Sequence, residues 1–366
     1  MKRSLSLPSC NSASLFRCFG LVLIVCAWAP ALVRAETAPD ISILTYDSFV
    51  AKHGLGPEIM PVFKQYSGCE ARVTGAGDGG QLLNRLQLSA KSGSALGAQV
   101  VLGIDQQLWE DVRPFAEPWG KWSPVGYEKL VASSRVEKGF LPFDYGTFAF
   151  IADTEALKKM KLEAPHSLQD LLKPEWKRNL ILEDPRTSTP GLALLRYSIA
   201  VYQEKVWEFW TKLRPQWLTL AQGWDAAYGI FLKGEAPLVW SYTTSQAYHD
   251  EHPEPGVTPG RYQAIHFTEG QPSQIEGAIL VKGAFTGKTG EHQLVCARKF
   301  LEFLLTPAVQ ARIPLKNWMS PVIIGTPLPP SFKRLPVPKR IVPMPVKGFS
   351  ASSILPKWSH AVEATP

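Results

Sequence analysis

Beyond its first 35 residues the chain has no long apolar run, no basic block and few cysteines. No later stretch reaches the roughly 20 apolar residues that a membrane-spanning helix needs. No Lys/Arg block with interleaved aromatics occurs, which argues against nucleic acid as a partner. Neither G-x-S-x-G nor H-E-x-x-H is present, so two common hydrolase signatures are missing. Past the leader only Cys69 and Cys296 remain. They could pair in an oxidising compartment, but two cysteines decide little.

The leader itself is distinctive. Lys2, Arg3 and Arg17 form a basic start, "CFGLVLIVCAWAPAL" (Cys18 to Leu32) is apolar, and "VRA" ends at Ala35. The apolar run is too short to span a bilayer, so 1–35 reads as a secretory signal peptide cut after Ala35. Losing Lys2, Arg3, Arg17 and Arg34 lowers the formal net charge from +7 to about +3. What remains is expected to be a soluble, exported protein.

A chain of 366 residues is long for one core, and two domains are expected. Hydrophobic residues at 45% and charged residues at 19% indicate a globular body. "ISILTYD", "EARVT" and "AQVVLGI" read as strands, separated by helices in "GPEIMPVFKQYSG" and "QLLNRLQLSAK". Near-continuous apolar strands alternating with helices signal a parallel sheet covered on both faces. "YGTFAFIAD", "NLILE" and "PLVWSY" build a second such unit, in which "SLQDLL" starts a helix capped by Ser167. "EGAILVKGA" and "GEHQLVCARKFLEFLL" then return to the first. The expectation is an α/β fold of two lobes, each a mostly parallel sheet flanked by helices and joined by hinge strands. The first lobe takes 36–145 plus 272–328, the second 146–271. The proline-dense 329–366 is expected to run extended over the surface.

Two turns concentrate hydroxyls. "EDPRTSTPGLALL" follows the strand "NLILE", and Pro190 suits a first helical position, making Thr189 the N-cap candidate. A helix start attracts anions, and Ser188 and Thr189 would add donors there. "WSYTTSQAY" also leaves a strand and carries Tyr242, Thr243, Thr244, Ser245 and Tyr248. Either turn could equally be an ordinary solvated cap. Trp224 precedes a helix, Trp318 lies in a loop between prolines, and Tyr46 ends the first strand. Rings gathered on one cleft would suit a flat cation. In "GAGDGG", Asp78 and Gly79 could meet a ligand or simply form a tight turn, and the stretch is no dinucleotide fingerprint.

Taken in order, "LTYDSF", "VVLGID", "PFDYGTFAF", "EDPRTSTPGLALL", "GWDAAYGIFLKGE", "VWSYTTSQAYH" and "IPLKNWMSPV" resemble the thiamine-binding periplasmic proteins of ABC importers, from about Ile41 to about Leu328. The resemblance implies an interlobe cleft that takes thiamine, thiamine monophosphate and thiamine diphosphate and delivers them to an inner-membrane permease. It also implies a monomer without cofactor or metal. It assigns Asp78 and Gly79 to ligand contact from the first lobe. Ser188, Thr189, Trp224, Tyr242, Thr243, Thr244 and Ser245 follow from the second. Tyr248, Trp318 and Tyr46 are aromatic lining. The loop at Asp78 is richer in glycine than the family's, and the proline-rich end replaces a more helical C-terminus.

Rival readings are a thiaminase-like enzyme on the same fold, or a binder of a polyamine or ferric iron. Neither cysteine sits where a nucleophile is expected, and inert cysteine is the better reading. "YHDEH" could hold a metal but reads as a solvated helix end. Iron would call for paired tyrosines and polyamine for several acids; the aromatic-and-hydroxyl set matches neither.

Overall fold

The computed structural model describes residues 38–253, 255, 257–344 and 348–363. The signal-peptide assignment lies outside them. Nine strands carry the argument: β1 (Ile41–Thr45), β2 (Ala71–Gly75), β3 (Val100–Asp105), β4 (Leu141–Asp153), β5 (Leu180–Glu183), β6 (Trp217–Ala221), β7 (Leu238–Tyr242), β8 (Tyr262–Ile265) and β9 (Gln271–Leu280). The longer helices are α1 (Leu55–Ser67), α2 (Gly79–Ser92), α3 (Thr154–Met160), α4 (Thr189–Tyr202), α5 (Val206–Leu213), α6 (Trp224–Leu232), α7 (Ser245–Glu251), α8 (Gly290–Leu304) and α9 (Ala351–Glu363).

The strands follow one path, β2-β1-β3-β9-β4-β7-β5-β6. The β2-β1-β3 and β7-β5-β6 groups are parallel inside, as expected for buried apolar strands joined through helices. Between them β9 and β4 run antiparallel to their neighbours. The first half of β4 pairs β9 and its second half pairs β7 and β8. One strand of 13 residues thus serves both halves of the molecule. This is the two-lobed α/β arrangement expected, with an antiparallel pair at its centre.

The helices form where the sequence caps them. α1 buries Leu55, Ile59 and Phe63 on one stripe and ends at Gly68, which takes the left-handed φ of 71°. Phe63 meets Phe300 and Phe303 of α8 at 5.2 and 5.5 Å between ring centroids. Each such burial stabilises by roughly 1.5–3 kcal/mol. A disulfide joins Cys69, just past α1, to Cys296 on α8.

Three expectations are corrected. Ser188, not Thr189, is the N-cap of α4: its backbone is extended and its hydroxyl accepts from Gly191 N, so Pro190 falls one position further in. "SLQDLL" forms only a 3₁₀ turn, although Ser167 does accept from Asp170 N. The 329–366 segment is not extended throughout. It ends in the 13-residue α9, which buries Ile354 and Trp358; Trp358 meets Trp210 of α5 edge-on at 5.8 Å.

Candidate functional site

Three helix starts meet at Asp78. It caps α2, accepting from Gly79 N at 2.7 Å. A Cβ on Gly79 would fall 2.3 Å from Thr189 Oγ1 at the start of α4, and one on Gly80 would fall 2.9 Å from the Thr187 carbonyl carbon. Gly223, before α6, lies with its Cβ position 3.5 Å from Asp78 Oδ2. At positions 79 and 80 a side chain would force a neighbour to shift, whereas the 3.5 Å at Gly223 is ordinary contact. Burial raises the Asp78 pKa, although the Gly79 amide and the Ser188 and Thr189 hydroxyls pull it down. Its Oδ2 makes no hydrogen bond of ordinary geometry. The carboxyl stands where helix starts would otherwise draw in an anion.

Strand ends add further carboxyls. Glu183 closes β5, is 1% exposed, and neither oxygen has a hydrogen-bond partner. Burial, then the neighbouring Asp78, pushes its pKa well up. Asp105 closes β3 and is pushed up to about 8, chiefly by burial. Asp144 on β4 faces Glu276 on β9. The Tyr242 phenol, at the end of β7, is within electrostatic reach of Glu276, Asp78, Asp105 and Glu183. Burial leads in raising its pKa, and these four groups add to it. Arg196 of α4 is the buried cation that offsets Asp105. A burial of carboxyls this dense is costly unless protons or a cationic guest compensate it.

The aromatic candidates fall in three places. Tyr46 donates to Asn317 Oδ1 at 3.0 Å, and its ring occupies the space a Cβ on Gly103 would need, 2.0 Å away. Gly103 has φ of 93°, so both space and backbone demand glycine. Trp224 Nε1 donates to Ser241 Oγ at 2.7 Å, and its ring stacks on Tyr228 at 5.1 Å. Tyr248 meets Trp318 edge-on at 5.0 Å, joining α7 to the loop after Asn317. Trp318 holds a left-handed φ of 54°, a strained state for an indole residue that local packing must maintain.

The hydroxyls divide. Thr244 Oγ1 is buried without a partner, so its bonding capacity is open. Ser245 shares a hydrogen bond with Ser241, which already holds Trp224. Thr243 bonds Thr147 at 3.0 Å and His266 at 3.2 Å, a framework role between β7 and β4.

His249 is not a solvated helix end. It bonds the Tyr228 hydroxyl at 2.9 Å, lies tilted against Tyr262, and burial first lowers its pKa to about 4. Among the described residues, the group spaced to hold a metal is Asp40, His292 and Cys296, and that cysteine is committed to the disulfide. Cavities of about 520 and 480 Å³ lie elsewhere and do not border Asp78.

Sequence reasoning missed Asp105, Asp144, Glu183, Glu276 and Asn317. The available signal was an acid closing an apolar strand, in "VVLGID" and "NLILE", because ligands bind at the carboxyl ends of strands in such sheets.

Two sheet halves joined through the long β4, with buried acids at the carboxyl ends of their strands, frame a two-lobed binding protein. The chain belongs to the bacterial extracellular solute-binding protein family, whose profile matches residues 46–311. It is 38% identical over 349 residues to the thiamine-binding periplasmic protein of Salmonella typhimurium, covering 93% of this chain and 97% of that one. With the protein of the same name from Escherichia coli K12 it shares 36% identity, covering 93% and 98%. A solved periplasmic thiamin binding protein superposes with a TM-score of 0.74 at 35% identity, covering 88% of this chain and 96% of that one. The ferric binding protein from Campylobacter jejuni, at TM-score 0.65 and 20% identity, shares the fold.

Proposed function

We propose that this chain is the periplasmic solute-binding component of an ABC importer, and that it captures thiamine. The observation that carries the reading is the set of buried carboxyls around Tyr242, several with unpartnered oxygens. Thiamine offers a thiazolium cation that cannot donate a hydrogen bond and so is held by charge and by rings. Asp78 and Glu183 supply the charge; Tyr46, Trp224, Tyr248 and Trp318 supply aromatic walls. Ser188, Thr189 and Thr244, with Gly79 beside them, offer donors to the hydroxyethyl end or to a mono- or diphosphate. Tyr242, Thr243 and Ser245 complete the second-lobe wall. The names of the relatives support thiamine over iron or polyamine, and a binding role over catalysis.

In this reading 1–35 is removed on export. The first lobe spans 36–145 and 272–328 and the second 146–271, with β4 and β9 as the hinge. The mature monomer then hands its ligand to an inner-membrane permease. Calorimetry of the mature chain with thiamine, its two phosphates, spermidine and ferric citrate tests the reading, with product analysis of the thiamine sample. Tight binding of thiamine without turnover is expected; binding of spermidine or iron alone would overturn it.

A further inference from the structure

Asp40 precedes β1 and Cys69 comes just before β2, and the two strands pair in parallel with Ile41 opposite Ala71. Both residues therefore lie at the amino ends of these strands, at the other end of the sheet from Asp105, which closes β3. His292 and Cys296 join them from α8, one turn apart. That i, i+4 spacing lets two side chains of one helix grip a single ion. His292 Nε2 lies 2.8 Å from Asp40 Oδ1 and 3.6 Å from Cys296 Sγ. The ligand atoms of Asp40, His292 and Cys296 all fall within 4.8 Å of one another, and Cys69 is bonded to Cys296. Backbone contacts hold the set in place. Glu70 N donates to Asp40 Oδ2 at 2.7 Å, and Cys69 N donates to Ser67 Oγ at 3.0 Å.

We propose that, once the disulfide is reduced, Cys69, Cys296, His292 and Asp40 form a zinc site that exists only in the thiol form of the chain. The inference does not depend on what the cleft at Asp78 binds.

Two thiolates, an imidazole and a carboxylate are zinc ligand types, and zinc sets them in a tetrahedron. Bonds of about 2.3 Å to sulfur and about 2.0–2.1 Å to nitrogen put N and S about 3.6 Å apart. His292 and Cys296 already stand at that distance. The His292 nitrogen and Asp40 oxygen must part to about 3.3 Å and the two sulfurs to about 3.8 Å. Side-chain rotation supplies this, since the two cysteine Cα atoms are 5.9 Å apart. Three anionic ligands around a divalent ion leave one net negative charge. Lys299 donates to Ser67 O at 2.9 Å, which places an ammonium beside Cys69. His292 is exposed while both cysteines are buried, so the ion enters from the His292 side and covers the sulfurs. In the disulfide neither sulfur is a thiolate, and His292 and Asp40 alone are too few to hold the ion.

The chain carries both thiols before its bridge forms, and again when a phosphine or dithiol opens it. A phosphine takes the oxygen of one water and becomes its oxide, and each sulfur gains a proton. Zinc then displaces both protons.

The test uses the mature chain, reduced with tris(2-carboxyethyl)phosphine under argon and titrated with Co²⁺ as a visible probe and then with Zn²⁺. Reduced wild type should take one Co²⁺ with thiolate charge-transfer and tetrahedral d–d bands, and Zn²⁺ should displace it. His292→Ala should weaken Zn²⁺ binding by about 30-fold or more and Asp40→Asn by about tenfold or more. The disulfide form should show no such bands. Zn²⁺ should also slow bridge closure by oxidised glutathione about tenfold in wild type and hardly at all in His292→Ala. Circular dichroism verifies the fold of each chain. Absence of binding by reduced wild type overturns the inference, as does a reduced chain that stays unfolded with Zn²⁺ present. So does equal affinity in wild type and both variants, which would mean that the cysteines bind alone. Equal binding by the disulfide form overturns it as well.

Discussion

Gly79 and Thr189 stand so close that a single methyl group between them would sit 2.3 Å from the threonine hydroxyl. They belong to different helix starts, α2 and α4, and their contact covers Asp78. Gly79→Ala should therefore hold the cleft ajar while leaving each lobe folded. The expected outcome is about 10- to 100-fold weaker ligand binding, a melting temperature close to wild type without ligand, and a larger radius of gyration with ligand by X-ray scattering. Unchanged affinity would show that α2 and α4 need not meet.

Trp224 is held by one hydrogen bond to Ser241 and by stacking on Tyr228. Trp224→Phe keeps the stack and loses the bond, so titration should show a loss of about 3- to 10-fold in affinity. Trp224→Ala removes both and should cost about 30-fold or more.

Asp105 is raised to about 8, first by burial and then by Glu276 despite the amide of Gln107. Between the ordinary carboxylate range and about 8 the folded chain keeps a proton that the unfolded chain has lost. The stability this contributes is present at low pH and disappears as pH rises through about 8. The raised Asp78 and Glu183 act in the same direction. Asp170, lowered to about 2, acts oppositely but only at more acid pH. Calorimetric melting of the ligand-free protein should show stability falling from about pH 5 to pH 8, with a shallower slope in Asp105→Asn. An equal slope would remove Asp105 from the effect.

The Cys69–Cys296 bridge closes a loop over a sequence separation of 227. Reduction, or replacing both cysteines with serine, should lower stability by roughly 2–4 kcal/mol in denaturant unfolding. Ligand affinity should stay near wild type, because the bridge ties α1 to α8 away from Asp78.

Trp358 is 1% exposed, packs on Trp210 and lies under Arg186. Trp358→Ala should cost about 3–5 kcal/mol by denaturant titration. An effect below about 1 kcal/mol would mean that α9 is dispensable to the fold.

The helices and parallel strands were legible because their apolar spacing and their caps, such as Gly68 after α1, are local signals. The tail was misread because the prolines between Pro327 and Pro345 outweighed the stripe Ile354, Trp358, Ala361 and Val362, which is helical in spacing. Most of the proposed aromatic and hydroxyl members could be singled out because they sit at visible strand ends or helix starts, Tyr46, Ser188, Trp224 and Tyr242 among them. Asp144 and Glu276 could not. They become neighbours only through an antiparallel register between distant segments, and neither segment carries a sign of its partner.

The covalent link between α1 and α8 has a mechanical consequence. Everything from Cys69 to Cys296 lies inside a closed ring of chain, and both ends of the protein lie outside it. A machine that threads the polypeptide from either terminus would strip only the outer segments before meeting a branch point. The whole intervening body would then have to pass as a doubled strand, so tension applied at the ends is shunted past everything from Glu70 to Val295 and falls instead on the outer segments that carry Tyr46 and Trp318.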